Sequence, residues 1–281
     1  TCSAAAEGGH LEVLHWARAN GCPWEEKGLY VATKNGHETV LRALIELGAD
    51  IEKAKDIGAT PLYTSAYHGH ETVVRALIES GADVNKASDD GVTPLLMAAQ
   101  EGHEAVMRAL IEMGADVNKA MDDGVTPLLM AAQEGHEAVM RALIEMGADV
   151  NKAMDDGVTP LLMAAQEGYE AVMRALIEAG ADVNKAMDVG DTPLSMAAEN
   201  GHEAVVRALI EAGADVNKAS DDGVTPLVLA AHFSHEVLVR ALIEADADVN
   251  QARDDGATPL LVAAENGHAA IVQILRDAGA A

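Results

Sequence analysis

Residues 93–125 read TPLLMAAQEGHEAVMRALIEMGADVNKAMDDGV, and residues 126–158 repeat them letter for letter. An identical block of this length constrains the fold, because whatever surface one copy buries the other must bury against an equivalent neighbour. The pattern runs on. T-P-L recurs at Thr60, Thr93, Thr126, Thr159, Thr192, Thr225 and Thr258, each 33 residues after the last. Gly-His pairs end at His37, His70, His103, His136, His202 and His268, Tyr169 and the Ser-His of His235 hold the intermediate places, and one more pair ends at His10, 27 residues before His37. A fixed period in this range marks a stacked-repeat protein, so one elongated solenoid is expected, not two globular domains.

Within one unit, Thr93-Pro94 reads as a helix start: the hydroxyl can accept from a free backbone N–H, and proline fits the first helical position. Leu95, Met97, Ala98 and Ala99 keep this first helix apolar and slim until Glu101-Gly102 ends it. Glu104 opens a second helix with its charge at the favourable end, and Gly114 closes it. The stretch ADVNKAMDDG that follows is rich in turn formers and reads as an extended connection with a tight turn. Val106, Met107, Leu110 and Ile111 cover more of the second helix than one partner could bury, so contacts with both neighbouring repeats are expected. Glu104, Arg108 and Glu112, four apart, form an outer charge ladder in which each pair contributes about 0.3 kcal/mol.

These units resemble ankyrin repeats. The period, T-P-L at the first helix start, A-A within it, G-H between the helices and G-A-D-V-N after the second all match. The resemblance implies an all-α ankyrin-repeat solenoid of about nine helix-turn-helix-β-turn units: a divergent N-terminal cap at 1–26, internal repeats at 27–59, 60–92, 93–125, 126–158, 159–191, 192–224 and 225–257, and a C-terminal cap at 258–281. Where the family has His after T-P-L, this chain has Tyr63, Leu96, Leu129, Leu162, Ser195, Val228 and Leu261, which points to apolar packing in place of a Thr–His bond. The residue after each Gly is expected, by the same resemblance, to tie the loop between the helices.

The ends differ from the middle. Ile45, Ile78, Ile111, Ile144, Ile177, Ile210 and Ile243 share one position of the second helix, read as core, while Arg18 and Arg276 stand there in the first and last units. A charge at that place suits capping repeats and a complete array. Trp16 and Trp24 of the first unit are expected to cover the end of the core, or alternatively to form an aromatic contact site.

Composition narrows the partners. Nineteen basic against 46 acidic residues give a net charge of −27, a field that repels phosphate backbones and anionic membranes. Neither a run of 18 apolar residues nor a secretion signal is present. Two cysteines, Cys2 and Cys22, are too few to staple such an array and fit a cytoplasmic or otherwise intracellular home. Nucleic acid and membrane partners are therefore not expected, and a monomer is.

The regular histidines do not make a metal site, because stacked helices lie about 8–10 Å apart whereas zinc needs ligands at about 2 Å. Paired aspartates such as Asp89-Asp90 and Asp254-Asp255 lack the alternating oxygens of an EF-hand. With no phosphate loop, nucleophile elbow or activated cysteine, neither catalysis nor a cofactor is expected.

The resemblance implies binding at the turn tips and the concave face. Mapped onto this sequence, the candidate residues are Asp89, Asp90, Asp122, Asp123, Asp155, Asp156 and Asp188 at the tips, with Met121, Met154 and Met187 beside them. Tyr67, Gln100, Glu101, Gln133, Glu134, Gln166, Glu167 and Phe233 line the palm edge. An acidic row with methionine steps suits a basic, partly apolar peptide or protein. Lys86, Lys119, Lys152, Lys185 and Lys218 weaken that field locally. The main expectation is thus a non-enzymatic protein-binding scaffold. Its rivals are an engineered or consensus-like structural array without a dedicated partner, favoured by the near-identical SDDGV and MDDGV tips, and a module excised from a larger protein.

Overall fold

The computed structural model describes residues 2–22 and 27–281, and every regular element among them is helical. Contacts divide the chain into two compact units, residues 1–148 and 149–281. The first holds five helix pairs among its described residues: α1 Cys2–Glu7 with α2 Leu11–Ala19, α3 Lys27–Lys34 with α4 Glu38–Glu46, α5 Pro61–Tyr67 with α6 Glu71–Glu79, α7 Pro94–Gln100 with α8 Glu104–Glu112, and α9 Pro127–Gln133 with α10 Glu137–Glu145. The second holds four: α11 Pro160–Glu167 with α12 Glu170–Glu178, α13 Pro193–Glu199 with α14 Glu203–Glu211, α15 Pro226–His232 with α16 Glu236–Glu244, and α17 Pro259–Glu265 with α18 Ala269–Asp277.

Helices of six to nine residues do not persist alone, so their termini and flanks must be satisfied by neighbours. The starts are local. From Thr60 to Thr258 each Thr hydroxyl accepts from the backbone N–H three residues on, for example Leu96 N–H to Thr93 Oγ1 at 3.1 Å. At Thr192 the bond is returned, since Ser195 Oγ accepts from the Thr192 N–H at 2.7 Å. The position after T-P-L is buried apolar surface at Leu96, Leu129, Leu162 and Val228, but Leu261 in the last pair is 45% exposed. The second helices stop in a left-handed turn: Gly114 has φ 100°, and Ala115 N–H reaches back to the Leu110 carbonyl at 2.9 Å.

In each unit the first helices pack in one row and the second helices in another, each first helix also lying against its own second. Ala98 and Ala99, fully buried, let adjacent first helices close together, while Val106, Met107 and Leu110 fill the space behind them. Burying each large side chain contributes roughly 1.5–3 kcal/mol before conformational entropy is subtracted.

Three expectations are corrected here. The shared isoleucines are only half-buried, and the deep core position is the leucine one residue earlier, Leu44, Leu77 and Leu110. Arg108 pairs with Glu104 at 2.8 Å, but its other partner is Glu145 of the next pair at 3.1 Å, not Glu112, which Arg75 of the preceding pair holds at 2.9 Å. Trp16 does not cover the core: it is 68% exposed and Val13 is 50% exposed, while Leu14 is fully buried. Two residues turn a helix by about 200°, so Leu14 facing α1 and α4 sends Trp16 outward. Trp24 lies outside the described residues.

Candidate protein-interaction surface

The hairpin tips are built from the backbone up. In MDDGV, Met121 N–H donates to the Val125 carbonyl at 3.0 Å and Gly124 N–H to the Met121 carbonyl at 3.1 Å, closing a tight turn. Asp123 Oδ1 accepts from Val125 N–H at 3.2 Å, as Asp156 Oδ1 does from Val158 N–H at 3.1 Å, so in these MDDGV tips the second aspartate holds its own turn, whereas in the SDDGV tips Ser88 and Ser220 Oγ take that role. Asp122 and Asp155 are exposed at the apex, as are Asp89, Asp90 and Asp188. Met121, Met154 and Met187 are half-buried and offer only part of their side chains.

Within each unit adjacent tips adjoin. Asp89 N–H donates to the Ile57 carbonyl at 3.0 Å in the first unit. In the second, Asp188 N–H meets the Asp156 carbonyl at 2.8 Å, Asp221 that of Val189 at 3.0 Å, and Asp254 that of Asp222 at 3.1 Å. The structure thus brings Asp155 and Asp156 together with Asp188 in one row.

Within each unit the first-helix ends form a separate row, about 10 Å away along a seven-residue helix. Glu101, Glu134 and Glu167 are exposed, Gln100, Gln133 and Gln166 half-buried, and Tyr67 and Phe233 more than two-fifths exposed. Here the histidines act twice: the backbone ties the loop between the helices, with His103 N–H on the Ala98 carbonyl at 2.9 Å, and the side chains also join neighbouring repeats. His103 Nε2 lies 3.0 Å from the Tyr67 carbonyl, His136 Nε2 2.9 Å from that of Gln100, and His235 Nε2 2.9 Å from that of Glu199. A carbonyl only accepts, so the Nε2 tautomer carries the proton, and it satisfies a helix-end oxygen of the preceding pair. An aromatic step interrupts the row in each unit. Tyr67 meets His68 edge-on at 4.8 Å, and Phe233 meets His232 edge-on at 4.7 Å while stacking on His235 at 6.3 Å.

The acidic rows leave an electrostatic mark. Burial, followed by the charges of Asp90, the neighbouring Tyr67 and Glu101, pushes the Tyr63 hydroxyl pKa up. Burial, aided by Asp221 and Asp222, pushes the Asp191 carboxyl up against the lowering effect of its Ser195 hydrogen bond. Burial and the neighbouring His70, Lys34 and His103 push His68 down.

Sequence reasoning missed a second set of ties. Asn85 Oδ1 accepts from Asp116 N–H at 3.0 Å while its Nδ2 donates to the Gly114 carbonyl at 3.4 Å, and Asn151, Asn184 and Asn217 repeat both bonds. Lys119 and Lys218 donate to the carbonyls of Asn85 and Asn184 at 3.0 and 2.7 Å. The N-K that recurs in the five connections from Asn85-Lys86 to Asn217-Lys218 was the available signal, since a solvated turn does not require the same two residues so often; the first connection has Glu52-Lys53 and the last Asn250-Gln251. Away from the predicted residues, a cavity of about 310 Å³ lies against α3 and α4, bordered by Leu29, Tyr30, Leu44 and Pro61, with Lys55 Nζ 3.8 Å above the Tyr30 ring. Ala59 stands there where Val92 and Val125 stand in later repeats.

The sequence profile described as ankyrin repeats (3 copies) matches residues 2–88, 84–154, 150–220 and 217–281. The chain belongs to the ankyrin repeat family. No curated protein matches it. Ankyrin repeats serve in general as protein–protein interaction modules, and no helix among the described residues of this ankyrin array is long and apolar enough to cross a membrane.

Proposed function

We propose that this ankyrin array is a non-enzymatic scaffold that recruits a basic, partly apolar segment of another protein through its hairpin tips and first-helix ends. The observation that carries this reading is the alignment of exposed carboxylates in rows whose backbones are hydrogen bonded to one another, with half-buried methionines beside them. Such rows steer a cationic partner and supply apolar steps for its side chains. Every lysine tie that Lys119 or Lys218 makes to a backbone carbonyl also fixes a positive charge below the apex, so the apex itself stays acidic.

The test is fluorescence anisotropy with two labelled peptides of equal length, one rich in lysine and leucine and one rich in glutamate and leucine. The cationic peptide is expected to bind with an affinity that falls as salt rises. Asp122→Lys with Asp155→Lys is expected to weaken it about tenfold while leaving the fold intact, because neither carboxylate is the one that closes its turn. Equal binding of both peptides would overturn the reading. A second reading, a structural array without a dedicated partner, is favoured by the identity of residues 93–125 and 126–158; it predicts no binding of either peptide.

A further inference from the structure

We propose that Cys2 and Cys22 form a thiol–disulfide exchange site, which low-molecular-weight disulfides convert into an intramolecular cross-link across the first helix pair. They are the only two cysteines in 281 residues, and the fold brings them together. Cys2 N–H, at the start of α1 where helix donors lack an internal partner, donates to Cys22 Sγ at 3.2 Å. The Cys2 thiol faces the Cys22 carbonyl at 4.0 Å, so each sulfur lies against the backbone of the other cysteine. Neither cysteine is in a disulfide.

The positions matter. Counting back from the Gly-His pairs, Cys2 stands where later pairs have Leu29, Leu62 and Leu95, and Cys22 where they have Ala82 and Ala115, all buried. Two cysteines fill somewhat less volume than a leucine and an alanine, so the exchange gains nothing in packing. Packing alone does not require both to be sulfur, whereas exchange chemistry does.

The two thiols have separable roles. Cys22 is half-buried and Cys2 only 3% exposed, so an incoming disulfide RSSR meets Cys22 first. Arg18 donates from Nη1 to the Cys22 carbonyl at 3.4 Å and sets a positive charge beside the pair, while burial pushes the Cys2 thiol pKa up, so the less buried Cys22 is the first to attack. Cys22 gives up its proton and attacks one sulfur of RSSR, forming a Cys22–SR mixed disulfide and releasing RS⁻, which is protonated to RSH. Cys2 then gives up its proton, attacks the Cys22 sulfur and releases the second RSH. Two protein thiols are thereby oxidised by two electrons, and one RSSR is reduced to two RSH. The product joins the first residue of α1 to the segment that follows α2, tying down both helices.

The experiment treats the whole folded chain with oxidised glutathione, blocks remaining thiols, and digests with trypsin without reductant. Arg18 is the first basic residue and Lys27 the next, so peptides 1–18 and 19–27 stay joined only through a disulfide. The joined peptide is expected, to separate on reduction, and to form at a glutathione disulfide concentration about tenfold lower for the folded chain than for the chain in urea. Cys22→Ser is expected to leave Cys2 unmodified under the same treatment. Persistent glutathione adducts, disulfides between chains, unreacted thiols, or equal yields with and without urea would each overturn the proposal.

Discussion

Ser234 and Asp246 hold the left-handed backbone that the other repeats give to glycine, with φ of 65° and 64°. A side chain there costs about 1 kcal/mol, less for aspartate, which tolerates the region. Ser234→Gly is therefore expected to raise unfolding stability by about 1 kcal/mol and Asp246→Gly by about half of that, read from urea midpoints at unchanged slope. No gain would mean that local contacts already relieve the strain. Asp191 departs from the pattern in another way, standing where Val92, Val125 and Val158 stand. Burial first, with Asp221 and Asp222, raises its pKa in the folded chain. The folded state then binds the proton more tightly than the unfolded chain, so the charged carboxylate destabilises the fold above its folded pKa. That penalty vanishes as pH falls below the ordinary carboxyl range near about 3.9. Asp191→Val is expected to stabilise the chain, and by more at neutral pH than at about pH 3; a gain independent of pH would assign it to packing instead.

At the scale of elements, a histidine and a glycine of adjacent repeats meet. Gly102 has φ 75°, and a Cβ built on it would lie 2.9 Å from His136 Cε1, the same ring whose Nε2 holds the Gln100 carbonyl. Gly102→Ala is expected to cost more than the roughly 1 kcal/mol of backbone strain, because the ring must also move. His136→Ala is expected to cost about 1 kcal/mol for the lost hydrogen bond. The double variant should cost less than the sum, since the methyl then has room, and strict additivity in urea unfolding would show that the two do not touch. This pair also shows what the sequence made legible. Thr-Pro starts, Gly stops and the 33-residue period are local chemistry, so every T-P-L helix was placed from sequence alone. The second partners of His136, Asn85 and Arg108 lie one repeat away, and a pattern seen within one unit cannot tell a bond to its own loop from a bond to the neighbour's. The exposure of Trp16 was hidden for the same reason, because it depends on which side of α2 has a neighbour. Of the candidate surface, the exposed aspartates and glutamates could be read directly, whereas the burial of Met121, Met154 and Met187 could not.

For the molecule as a whole, stability should be a sum over repeats and their junctions, and the duplicated block offers a direct test. Deleting residues 93–125 joins Val92 to Thr126, the same dipeptide that Val92 and Thr93 form now. Each tie made across the lost unit has a ready equivalent. Asn85 would take the Gly147 carbonyl that Asn118 holds, Arg75 the Glu145 carboxylate that Arg108 holds, and His136 the Tyr67 carbonyl that His103 holds. The deletion removes 33 of 281 residues, so under a cooperative transition the urea slope is expected to fall by about 12%, in proportion to the surface that unfolding exposes. Helicity per residue should not change, and the midpoint should drop only by the net contribution of one repeat with its junction. Because no new type of interface is created, a large loss of helicity or an aggregating product would show that the junctions are not interchangeable. The two copies would then be identical in sequence yet distinct in what each must hold.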